Sequence, residues 1–485
     1  MGKVVAVAPQ CPPSRRPART ALALGWALAA SSLAACAAPP YRPAVEAPAP
    51  HTRANVLALG PSPRTSEPAP NVAPEPAPAP SPGGGVSLDA LLLWADRHSP
   101  LLVVARATRS RAEAARVAAG VLLPANPQVT ASAGPRFGIS GTGVDAEASL
   151  TQQVQIAGER GTRLEAARRL GELTDAEIEQ MRWAVHSEAH AGFHRVLVAR
   201  ERARLAEQVV AFQTEVLGVV ERQARAGALA PFTARLAQAE VAQARQSLVA
   251  ARQDEAAALI RLAVVAGWPA GAPPELRGAL DPPQDPPSLD QLVAAAERHT
   301  PVLRLREAAV REAEARVALA DRAAWPQPSV GVQYRHEGNP TSEGPYDIVM
   351  GTLTVPLPVF QRNQGDRARS RSDVDVARAE LAAARVQLAG QLAEARAVMA
   401  AAAQRTRAYG TEILPRFEEN LTLLRRSFEV GQIDVLELLV GRERFLRIQS
   451  DALAAQLDYF VSLAALERLV GIELWEDDHH EGEPP

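Results

Sequence analysis

The chain says nearly the same thing twice, about 200 residues apart, and this repeat limits what it can fold into more than any other feature. Residues 87–100 read SLDALLLWADRHSP and residues 288–301 read SLDQLVAAAERHTP. Leu88, Asp89, Leu91, Ala95, Arg97, His98 and Pro100 recur as Leu289, Asp290, Leu292, Ala296, Arg298, His299 and Pro301. The echo continues through EAARVA and EARVA, through Leu150-Thr151 and Leu353-Thr354, and through Gly227 and Gly431. It closes on LAVVAG, ending at Gly267, and LERLVG, ending at Gly471. Solenoid repeats run about 20–50 residues, so this period is too long for one. It marks a duplicated half-protein, and each structural element is expected twice.

The N-terminus reads as an export signal. Arg15, Arg16 and Arg19 precede an apolar run from Ala21 to Ala35, which ends in Leu33-Ala34-Ala35-Cys36. A positive region, a short apolar core and small residues before a break are the layout of a secretory leader. The run is short for a bilayer span. LAAC resembles a bacterial lipobox, which implies a lipoprotein signal peptide over 1–35 and lipidation of Cys36. Ala37, in place of Asp, implies sorting to the outer membrane. An incidental cysteine is the competing reading. The only other cysteine is Cys11, so the exported chain is expected to lack disulfides. Residues 36–85 are Pro/Ala-rich, unable to bury enough surface to offset ordering entropy, and read as a tether. The two repeats then occupy 86–280 and 281–476, before an acidic, histidine-bearing tail at 477–485.

Within each repeat the pattern predicts helix, two strands, a very long helix and a return helix. Helical patterning runs from Leu88 to Leu123. Residues 129–135 alternate weakly. Residues 144–156 alternate cleanly, with Ala146, Ala148, Leu150, Val154 and Ile156 on one face, and with Gln152 as the exception. A period of two with one polar face indicates a strand between oil and water. Segments 330–334 and 348–360 repeat the design, and Pro356 and Pro358 are expected to end or bend the last strand. No proline interrupts 158–226, which predicts roughly 100 Å of helix. Its counterpart, 363–430, holds only Pro415, where a kink is expected. Return helices are predicted over 231–266 and 435–470, the latter with a seam at Leu446, Leu453, Leu457, Phe460 and Leu463.

Four amphipathic strands cannot close a barrel, and an open edge is not tolerated in lipid. If these strands lie in a membrane, several chains must share one barrel, with the long helices projecting from it as a tunnel.

Residues 86–475 resemble the TolC-like outer membrane efflux proteins, built from two such repeats. The run LTVPLPVFQRNQGDRARS at 353–370 is similar to the strand-to-helix junction of the CzcC-like heavy-metal branch, and the stretch from Phe428 to Gly471 is similar to the family's final hairpin. The resemblance implies a mainly α fold with a small β part. It would be a homotrimer in which four strands per chain build a shared 12-stranded outer membrane β-barrel above an α-helical barrel. It also implies partners: a periplasmic adaptor protein, an inner-membrane RND-type pump and outer membrane lipid.

Four tip residues, Gly227, Val430, Gly431 and Gln432, are expected to dock the adaptor, although both glycines also read as helix caps. Asp434 and Glu437 share a helical face and resemble the family's acidic gate, a ring of carboxylates that favours cations. A solvated helix start, with acids favoured by the dipole, is the other reading. Phe428 matches an aromatic gate position or is plain packing. His98 and His299, beside Ser-Pro and Thr-Pro, read as helix ends. His479 and His480, among acids in the tail, are weak metal candidates beside a solvated tail.

No nucleophile–base pair or P-loop stands out, so no enzyme activity and no cofactor are expected. A formal charge of −3 gives no case for nucleic acid. The expected function is a passive exit duct of a tripartite efflux system in a Gram-negative outer membrane. Its cargo would be heavy-metal cations such as cobalt, zinc, cadmium or copper. Drug efflux or type I secretion is the alternative within the same class, and a periplasmic coiled-coil scaffold lipoprotein is the alternative outside it.

Overall fold

The computed structural model describes residues 85–123, 125–138, 141–227, 229–269, 273–338, 345–430 and 432–475. The chain divides into two units, 1–77 and 78–485, and the described residues all belong to the second. The expected leader, lipidation at Cys36, nearly all of the tether, the tip residue Gly431 and the tail histidines His479 and His480 lie outside the described residues.

The first half runs α1 (Leu88–His98), α2 (Pro100–Ala107), α3 (Arg109–Gly120), β1 (Gln128–Gly138), β2 (Gly141–Gln153), α4 (Glu159–Arg225) and α5 (Pro231–Ala266). The second half runs α6 (Leu289–His299), α7 (Pro301–Arg322), β3 (Ser329–Glu337), β4 (Tyr346–Thr354) and α8 (Gln364–Ala408). It continues with a π-helical turn (Tyr409–Ile413), α9 (Leu414–Glu429) and α10 (Val435–Val470). The fold is mainly helical with one small antiparallel sheet, as expected.

The first predicted helix is broken, because Ser99 and Thr300 each precede a proline. A residue in that position is pushed out of the α region, and both adopt ψ 126°. Each proline then starts the next helix, where its missing N–H costs nothing. Serines cap the starts. Ser87 accepts from the Ala90 N–H, and Ser288 forms a reciprocal capping box with Gln291.

Proline-free α4 is 67 residues long, or about 100 Å. Its counterpart is interrupted where Pro415 cannot supply an N–H, and the chain absorbs this as the π-helical turn at Tyr409–Ile413.

Each half has its own core, and the cores echo one another. Leu91, Ala95 and Leu102 pack with Val185, Phe193, Leu262 and Ala266 in the first. Leu292, Ala296 and Leu303 pack with Leu388, Met399, Leu466 and Val470 in the second. The repeated glycines complete both. Gly267 ends α5 in left-handed geometry, φ 69°, against the His98 carbonyl; Gly471 ends α10, φ 81°, against the His299 carbonyl. A Cβ at either position would stand 2.0 Å or 2.5 Å from that oxygen. His98 and His299 do end their helices here. The seam expected on α10 sits partly off register. Phe460 and Leu463 are buried as expected, but Leu446, Leu453 and Leu457 are only half-buried, and Ala455, Tyr459, Ser462, Leu466 and Val470 complete the buried side instead.

These contacts make a sharp contrast with Gly227, which is also left-handed, φ 78°, but would meet nothing within 4 Å through an added Cβ. Gly227→Ala should cost only the conformational penalty of about 1–2 kcal/mol. Gly267→Ala and Gly471→Ala should cost more, through the added carbonyl clash. Denaturant midpoints of the three variants check this order.

Candidate functional site

The four strands pair in the order β1-β2-β3-β4, all antiparallel, so β2 and β3 stitch the two halves together. The register decides what each face carries. Residues directly opposite share a face, which aligns Val129, Leu150 and Val332 in one row. Ala131, Ala148, Tyr334 and Val349 form the next, and Val330 and Leu353 form another. Among the described residues nothing covers this apolar face: Val129 is 74% exposed, Val349 72% and Leu353 69%. Gln152, polar on this face, lies at its helical end and donates to the Ala125 and Gln153 carbonyls, while His336 and Asp347, paired at 2.7 Å, lie toward its other end beside Ala146.

The opposite face is ionic. Arg136 bridges Asp145 at 2.8 Å and Glu337 at 3.6 Å, and Arg335 reaches Glu147 at 3.3 Å and Glu337 at 3.9 Å. Gln333 donates to Glu147 at 2.6 Å. One oily face and one charged face on the same sheet suit a wall between lipid and water. Strand β2 stops sooner than the alternation suggested. Val154 and Ile156 fall beyond β2; β4 ends at Thr354, as expected, ahead of Pro356 and Pro358, whose missing N–H groups end the ladder. Leu357 and Phe360, in that proline-rich segment, are strongly exposed.

At the far end of the long helices lie the two tips. Gly227 donates its N–H to the Ala224 carbonyl and ends α4. In the second tip Val430 is exposed and closes onto the Arg426 carbonyl, while Gln432 N–H donates to Ser427. Asp434 is the N-cap of α10 and accepts from the Glu437 N–H at 2.9 Å. Glu437 is exposed in the first turn and borders a groove of about 700 Å³ between α9 and α10, with Phe417, Leu424 and Arg444. Phe428 lies in the last turn of α9. Asp434 and Glu437 therefore share one tip, and the sequence-predicted acid pair doubles as a helix cap.

One row escaped the sequence reading. His186, His190 and His194 are spaced i, i+4, i+8 on α4, and that spacing was its only signal. All three are mostly buried, against α10 and the segment around Glu473. Loss of water pushes their pKa values down, His186 to about 4, His190 to about 3 and His194 to about 4. Among the described residues no group of three His, Cys, Asp or Glu is gathered to hold a metal ion.

No described helix is long and apolar enough to cross a membrane, which says nothing of the sheet. A sheet of this kind joined to paired helices of such length is the architecture of a channel subunit. A model of the outer membrane efflux protein family matches residues 94–268 and 292–472, and the chain belongs to that family. It is 24% identical over 333 residues to the cobalt-zinc-cadmium resistance protein CzcC of Cupriavidus metallidurans, covering 67% of this chain and 76% of that one. It is 28% identical over 244 residues to the nickel-cobalt-cadmium resistance protein NccC of Alcaligenes xylosoxydans xylosoxydans, covering 50% and 52%. The crystal structure of the Campylobacter jejuni CmeC outer membrane channel superposes with a TM-score of 0.65 at 12% identity, covering 86% of this chain and 96% of that one. The expected TolC-like fold and the resemblance to the heavy-metal branch both hold.

The cap and the charge of Asp434 can be separated. Asp434→Asn keeps a good capping side chain, whereas Asp434→Ala loses about 1 kcal/mol of it. Amide exchange over 435–438 should therefore accelerate in the Ala variant and stay near wild type in the Asn variant.

Proposed function

We propose that this protein is the outer membrane exit duct of a tripartite efflux system for heavy-metal cations, engaged by an RND-type pump through a periplasmic adaptor. The uncovered apolar face of the four-stranded sheet carries this reading. Four strands with two free edges cannot sit in lipid alone, because each unsatisfied backbone group there costs several kcal/mol. Three copies sharing twelve strands close the barrel, place the apolar face toward lipid and turn the ion-paired face inward. Localisation in the outer membrane of a Gram-negative bacterium follows, with Cys36 as an added lipid anchor and with the repeats at 86–280 and 281–476 as the two halves of each subunit.

The cargo assignment rests on the likeness to CzcC and NccC, whose names give cobalt, zinc, nickel and cadmium. In this reading Gly227, Val430, Gly431 and Gln432 meet the adaptor. Asp434 and Glu437 from three chains gather six carboxylates at the narrow end, with Phe428 close by. Rings of carboxylates favour cations on Coulomb grounds. The duct needs no chemistry of its own, since the pump supplies energy and choice of cargo.

The test is tolerance of a deletion strain complemented with wild type or with Asp434→Asn/Glu437→Gln. The deletion should be sensitive to cobalt, zinc, cadmium or copper and unchanged toward dyes and antibiotics, and the double variant should restore tolerance only in part. Sensitivity confined to dyes, detergents or antibiotics would instead assign a drug duct.

A further inference from the structure

The histidine row on α4 lies outside both the sheet and the tips, and nothing in the exit-duct reading uses it. His186, His190 and His194 face a cavity of about 350 Å³ between α4, α10 and the segments around Asp281 and Glu473. His190 is 7% exposed and its Nδ1 is buried without a hydrogen-bond partner. That nitrogen lies 3.9 Å from Oε2 of Glu467, on α10, which is itself only 4% exposed. His186 Nε2 stands 3.6 Å from Glu473. His194 stacks on Phe460 of α10 with ring centroids 3.8 Å apart, and its Nδ1 pairs with the His190 carbonyl at 3.1 Å.

The charged and titratable neighbours come from every side. Arg182, on α4, is bonded to Asp96 of α1 at 2.7 Å, and Asp89 of α1 borders the same cavity. Arg277 and Asp281 contribute from the connecting segment; Tyr459, Glu467 and Glu473 contribute from α10 and the segment after it. His194 lies flat on Phe460 of the second half, His190 stands edge-on to His194, and His186 tilts against Trp183, so the three imidazoles form a seam between the first half of the chain and the second. Both helices run on from it to the tips, so the seam fixes how they lie against each other.

We propose that the His186–His190–His194 row is an acid-sensitive seam, in which proton uptake by the histidines releases α10 from α4. The sign follows from the environment. Burial holds the folded-state pKa values below the ordinary value of about 6.5, so the closed seam binds neutral rings and an opened seam binds protons more readily. The seam's stability is full above about pH 6.5 and is lost as the pH falls below that toward the folded values of about 3–4. Between pH 7.5 and 5.0 each histidine freed on opening favours the open form by about 30-fold.

Hydrogen–deuterium exchange of the full chain in detergent tests this, with rates corrected for the intrinsic effect of pH. Protection over 186–194 and 459–467 should fall by about 30-fold or more between pH 7.5 and 5.0, while 301–322 changes little. His190→Gln, which removes one titrating ring, should shrink that fall by about 30-fold. Three results would overturn the proposal: unchanged protection at the seam, an equal loss in 301–322, or a His190→Gln variant whose loss matches wild type. Should that variant not fold, the wild-type comparison of seam and control segment decides alone.

Discussion

Everything in this structure is organised by a sheet that cannot exist alone. Among the described residues, no strand pairs with the outer edges of β1 and β4, and nothing lies over the face carrying Val129, Leu150, Val332 and Leu353. In water that face would aggregate, and in lipid those edges would be intolerable. The charged face adds the other half of the constraint. Arg136 and Arg335, held by Asp145, Glu147 and Glu337, belong next to water. A closed barrel of several chains satisfies edges, apolar face and ionic face together.

The helical part solves a different problem, which is to hold two very long hairpins in fixed relation to that sheet. The duplicated contact does this work twice. A helix ends on a histidine beside a proline, and a glycine from the return helix closes against that histidine's carbonyl, Gly267 on His98 and Gly471 on His299. Since a side chain fits at neither glycine, the α1–α5 and α6–α10 junctions keep the same close approach. The cores behind them, around Leu91 and Leu292, are likewise repeated.

Much of this was legible because the residues involved obey one-dimensional rules. Absence of proline over 158–226 meant one helix, Pro415 meant an interruption, and alternation from Ala146 to Leu150 meant a wetted strand. The errors have physical causes too. Val154 and Ile156 continue the alternation although the chain has already turned toward the left-handed Gly158. On α10 the seam holds at Phe460 and Leu463 but not at Leu446, Leu453 and Leu457, because close packing selects Ala455 and the flat ring of Tyr459 there. The histidine row leaves no mark in the composition of the 67-residue α4, because only the spacing i, i+4, i+8 puts its three rings on one face. At the tip, the sequence placed Asp434 and Glu437 together but left cap and gate open; the structure adds that Asp434 caps α10.

The central claim, that sheets from three chains close one barrel, is tested most directly by joining the free edges. A cysteine at Ser132 on β1 and another at Met350 on β4, treated in isolated outer membranes with a short bifunctional thiol reagent, should give a ladder that stops at three chains. Either single variant should not extend beyond a dimer. A ladder running past three, or no product beyond one chain in membranes that contain the protein, would contradict the shared barrel.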